Sequence, residues 1–111
     1  MSLPNLYAFP DNADDWQAWM FNHAANHYDW LISPIASGQN LTQYNLDTSD
    51  FNNMGMWFYQ HQVMHNQINA VLKTTGFDFT VLDWEDPDQL RNWLNLNGAE
   101  HVRISAALGV Q

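Results

Sequence analysis

The residues whose type and spacing could do chemistry in this chain are its five histidines: His23, His27, His61, His65 and His101. Two pairs, His23/His27 and His61/His65, stand four residues apart, which on a helix places both rings on one face. Such a pair offers chelating geometry to zinc or another divalent ion. A neutral imidazole also carries one donor and one acceptor, so it can sit in a core as part of a satisfied hydrogen-bond network. The chain has no cysteine, which removes disulfides, thiolate catalysis and cysteine-based zinc or iron–sulfur sites.

The histidines recur with their surroundings. Three windows align without a gap, opening at Asn12, Asp50 and Asp86. Each places a tryptophan seven residues on (Trp19, Trp57, Trp93) and a histidine fifteen residues on (His27, His65, His101). The eleventh position holds His23, His61 and Asn97. The windows are 38 and 36 residues apart, a period that points to duplication of one unit.

Each window predicts a helix, near 12–33, 50–75 and 86–108. Asn12, Asp50 and Asp86 suit the N-cap, and Asp15, Asn53 and Gln89 follow three residues later, as in a capping box. Pro87 fits the first helical position. Pro34 should end the first helix, and Gly76 and Gly109 should cap the second and third. Gly55 speaks mildly against the second. The inward stripe runs at spacings of four and three in all three helices. It reads Trp16, Met20, His23, His27, Trp30 in the first helix. In the second it reads Met54, Phe58, His61, His65, Ile68, Leu72, and in the third Leu90, Leu94, Asn97, His101, Ile104, Leu108.

The fold class is therefore all-α, a three-helix bundle in one domain over 1–111, built from arm-plus-helix repeats near 3–33, 38–75 and 77–108. The arms carry Leu3, Leu6 and Phe9, then Leu41, Tyr44 and Leu46, then Phe77, Phe79, Val81 and Trp84. A helix of about 20 residues is about 30 Å long, a length that ten extended residues can just span. Returning arms would give three parallel helices about a pseudo-threefold axis, favoured here over an up-down-up bundle. The repeated tryptophans read as core packing, and Trp84 and Phe77, on an arm, as interface candidates.

Either topology brings the histidines to the middle of the core. Parallel helices give one layer of His23, His61 and Asn97 and a second of His27, His65 and His101. Three readings stay open: a structural polar layer formed by these six residues that fixes helix register, a metal site, and catalysis. The metal site would use His27, His65 and His101, with His23 and His61 in reach. Against it, a structural zinc site wants a fourth ligand, and Glu100 lies one position off the seam. Catalysis has least behind it. Ser33, Ser37, Ser49 and Ser105 lack a nucleophile-elbow pattern, no Gly-rich phosphate loop is present, and helix starts account for Asp14/Asp15 and Asp86/Asp88. The expectation is a non-enzyme with no cofactor, zinc being the alternative.

The surface narrows the partners. Twelve acidic residues against three basic ones give a formal charge of −9, which argues against nucleic acid or anionic lipid. Charged residues make up 14%, against roughly 25% in an ordinary domain, and 13 Asn and 8 Gln take their place. Such a weakly charged surface with six tryptophans suits contact with other proteins. Apolar runs are too short to span a membrane, and the start has no signal-peptide pattern.

The capped Trp/His repeats resemble small proteins encoded in the structural gene modules of tailed bacteriophages. The stretches carrying the likeness are Met56 to Ile68 (MWFYQHQVMHNQI) and Asp86 to Gly109, ending in Ala-Leu-Gly. The resemblance implies a virion structural or adaptor protein of tail, connector or capsid, assembled in the host cytoplasm. Its partners would be other virion proteins or its own copies. Asn97 departs from the histidine of the other repeats. A histidine-rich metal-binding or pH-sensing bundle and a small regulator of a host protein are the alternative readings.

Overall fold

A computed structural model of the chain describes residues 13–41, 54–76 and 86–110. They form three helices, α1 (Ala13–Ile32), α2 (Met54–Leu72) and α3 (Pro87–Leu108), with no strand among the described residues. Leu41, from the second arm, packs against the cluster at the helix ends; the other arm residues, Asn12, Asp50, and the interface candidates Trp84 and Phe77 lie outside the described residues.

Local chemistry ends each helix. At the end of α1 the Ser33 hydroxyl donates back to the Trp30 carbonyl at 2.6 Å, and Pro34 disfavours helical geometry in the residue before it. Gly76 does not cap α2. Lys73 adopts the left-handed conformation at φ 58° and stops the helix at Leu72. Gly76 serves close approach instead, since a Cβ there would stand 2.2 Å from Asn69 Nδ2 and 2.5 Å from Glu100 Oε2. At the start of α3, Asp86 accepts from the Asp88 amide at 2.9 Å, with Pro87 in the first turn. Gln89 reaches the Asp86 carboxylate at 3.3 Å rather than its backbone. Gly109, at φ 73°, closes α3 by donating to Ala106, while Val110 donates to Ser105 at 2.8 Å, a Schellman arrangement.

Matching positions of the three windows meet at the same height. The rings of Trp19, Trp57 and Trp93 lie 5.6–6.1 Å apart, centroid to centroid, near the helix starts. Met20, Met64 and Leu94 complete that cluster. Near the helix ends, Trp30, Ile68, Ile104 and Leu108 form a second cluster, joined by Ala36. An up-down-up bundle would have separated Trp57 from the other two tryptophans, so the helices run parallel. Burying each large apolar side chain contributes about 1.5–3 kcal/mol, and the two clusters hold the helices together above and below the histidines.

Candidate metal centre

Between the clusters, all five imidazoles are buried, none more than 3% exposed. One ring nitrogen from each lies within 4.8 Å of those of the other four. His23 Nε2 and His61 Nε2 are 3.0 Å apart, and His27 Nε2 and His65 Nε2 are 3.2 Å apart. Both pairs join α1 to α2 across 38 residues, the period of the repeat. His101 is the imidazole of α3, and its ring centre lies 4.5 Å from His23 and 4.7 Å from His27. The two layers interleave, and a fourth and fifth imidazole stand within reach of the lower three.

The layers are supported differently. Trp19 stacks on His23 at 4.7 Å and Trp57 on His61 at 5.1 Å, so aromatic faces cover the upper layer. Asn97 is fully buried beside both rings and favours their protonated forms, yet neither of its polar side-chain atoms reaches hydrogen-bond geometry. The lower layer meets polar side chains. His101 Nδ1 lies 2.6 Å from Asn26 Oδ1, an acceptor, so Nδ1 carries the hydrogen and Nε2 keeps its lone pair. Asn26 is held in turn by Nδ2 donating to Ser105 Oγ at 3.3 Å, and Trp30 Nε1 donates to the same hydroxyl at 2.8 Å. His65 Nδ1 faces Glu100 Oε2 at 3.9 Å, an electrostatic contact longer than a hydrogen bond.

Glu100 corrects the sequence reading. One position off the seam, it is fully buried, with Oε1 taken by the Arg103 guanidinium. The position before the lower-layer histidine is buried in every helix, as Asn26, Met64 and Glu100. The inward face is therefore wider than the four-three stripe, as expected of a helix with two neighbours. That repeat position was the available signal for both Asn26 and Glu100.

Loss of water pushes all five imidazoles below their ordinary value of 6.5. Repulsion among the rings adds to this for His23, His27, His61 and His101. At His65 burial is again the largest influence, but Glu100 works against it, and its value is lowered less far. The centre is thus a set of neutral imidazoles, the form that ligates metals. His23 Nδ1 and His101 Nε2 have no hydrogen-bond partner among the described residues. A narrow cleft of about 10 Å³ reaches His27 between Trp30, Leu31, Leu41, Met64, Gln67 and Ile68, room for about one water. No described helix is long and apolar enough to cross a membrane. No protein-family model, curated protein or solved structure matches the chain.

Proposed function

We propose that the protein is a non-enzymatic metal-binding bundle in which a first-row transition ion, zinc by ligand type, locks three parallel helices. The observation that carries this reading is the convergence of five buried ring nitrogens within 4.8 Å. Ligands about 2.0–2.1 Å from a tetrahedral zinc lie roughly 3.3 Å from one another, close to the 3.0 and 3.2 Å separations of the two pairs. Imidazole suits zinc, copper, nickel and iron. A purely hydrogen-bonded layer accounts for the centre less well, because it leaves His101 Nε2 and both polar atoms of Asn97 buried without partners, an arrangement that calls for an explanation. The burial of all five imidazoles, with a cleft to His27 that admits about one water, supports a structural role, since a catalytic metal keeps a position open to substrate.

The test is elemental analysis of the purified full chain after dialysis. About one equivalent of metal is expected in the wild type and none in His65→Leu. A wild type free of metal, with no gain in melting temperature on adding zinc(II), defeats the reading.

The outer face supports a second reading, the virion structural or adaptor component. Phe21, Tyr28, Ile32 and Ile35 are 49–67% exposed on one stripe of α1 and the turn after it, on a surface of few charges. Exposed apolar side chains so arranged fit a protein–protein contact. Mass spectrometry of purified phage particles tests it. Presence of the chain supports a virion component, and its absence favours the regulator of a host protein.

A further inference from the structure

We infer that Glu100 is the outer-sphere carboxylate of the centre, positioning His65 and lending negative charge to an all-imidazole site, and that Arg103 holds this carboxylate in competition with the ion. The inference rests on the metal reading above.

Three observations converge on Glu100. Its side chain is fully buried, and Oε2 is directed at Nδ1 of His65 while Nε2 of the same ring faces His27 at 3.2 Å. A carboxylate on that side favours hydrogen on Nδ1 and leaves Nε2 to ligate, the arrangement in which outer carboxylates raise ligand basicity. Second, the chain after α2 is folded tightly onto the carboxylate, and Gly76 leaves no room for a Cβ beside Oε2. Third, the other oxygen, Oε1, is engaged by Arg103, with Nε at 3.1 Å. Arg103 also donates to Asn69 Oδ1 at 2.5 Å and to Thr74 Oγ1 at 3.2 Å.

Five neutral imidazoles leave the charge of a divalent ion uncompensated, which is costly in a dry interior. Glu100 is the carboxylate that the inner set of five imidazoles lacks, and it lies one ring away. The Arg103 side chain is 37% exposed and screened by solvent, whereas the Glu100 side chain is 0% exposed. The ion therefore feels the carboxylate more than the guanidinium. Losing the two charges should move metal affinity in opposite directions, which a simple structural ion pair would not do.

The experiment compares wild type, Glu100→Gln, Arg103→Gln and, as a remote charge control, Asp88→Asn. Zinc(II) affinity is measured at fixed pH by competition with a chromophoric chelator. Glu100→Gln should weaken binding about 10- to 100-fold, Arg103→Gln should tighten it, and Asp88→Asn should leave it unchanged. Equal affinity in wild type and Glu100→Gln overturns the inference while the metal reading stands. Parallel weakening in Glu100→Gln and Arg103→Gln also overturns it, marking the pair as a structural staple. Absence of zinc binding in the wild type defeats the metal reading itself. If Glu100→Gln does not fold, the double variant Glu100→Gln/Arg103→Gln, which buries no lone charge, decides. Weaker zinc binding than wild type supports the inference, and unchanged binding overturns it.

Discussion

The upper and lower histidine layers come from two positions of the same repeat, eleven and fifteen residues into each window, yet they are supported in different ways. His23 and His61 lie under the faces of Trp19 and Trp57. His101 and His65 face Asn26 and Glu100. Stacking confines a ring to a plane without choosing which nitrogen carries the hydrogen. A carbonyl or carboxylate beside Nδ1 makes that choice and leaves Nε2 with its lone pair. The comparison teaches that, for the proposed metal, the lower layer is the better prepared set of ligands and the upper layer would complete it.

Acid offers the largest effect by which to break that comparison. Each imidazole is lowered in the folded state, so below about pH 6.5 the unfolded chain binds more protons than the folded one. Stability should be flat above that value and fall as pH drops through the window beneath it. The slope is on the order of 1 kcal/mol per pH unit for each imidazole that stays neutral. Urea midpoints of the metal-free protein from pH 8 to 5 measure the sum. Nuclear magnetic resonance of the rings assigns the order, and His65, which Glu100 favours in its charged form, should take the first proton. First protonation at His23 or His61 would reverse the assignment of the prepared layer.

Truncating a supporting ring comes next. Trp57→Ala removes the face covering His61 and part of the apolar cluster of Trp19 and Trp93. It should cost about 3–5 kcal/mol in chemical denaturation, with zinc(II) recovering part of the loss because the lower layer is intact. The smallest effect is the contrast between matched substitutions in the two layers. His65→Leu should abolish zinc binding, and His61→Leu should weaken it by about tenfold, or about 1.4 kcal/mol. Isothermal titration settles the contrast, and equal losses would erase the distinction between layers.

The duplicated features were legible in the sequence. Tryptophan and histidine recur in one register, the Asp86 cap stands where it was expected, and a period of four and three placed the imidazoles in the centre of an all-helical bundle. The repeat marked the position before the lower-layer histidine, but not what would stand there or how deeply it would be buried. Asn26, Met64 and Glu100 share one position but not one chemistry, and their burial depends on how each helix sits between two neighbours. The end of α2 was misplaced for a similar reason. A glycine reads as a cap, but Gly76 is small because Asn69 and Glu100 crowd it, a contact between α2 and α3 that no local pattern reports.

The parallel course of the helices carries a consequence for how fast the protein forms. In an up-and-down bundle each helix packs on its sequence neighbour through a short turn, and the contacts that build the fold are mostly local. Here the chain must travel back the length of a helix before the next one can dock. The contacts at the centre join residues 38 apart, and those between α1 and α3 join residues 75 and 79 apart. Loop closure on that scale is paid before any burial rewards it. This small helical protein should thus fold on the millisecond timescale of mixed α/β domains rather than at the microsecond rates of simple bundles.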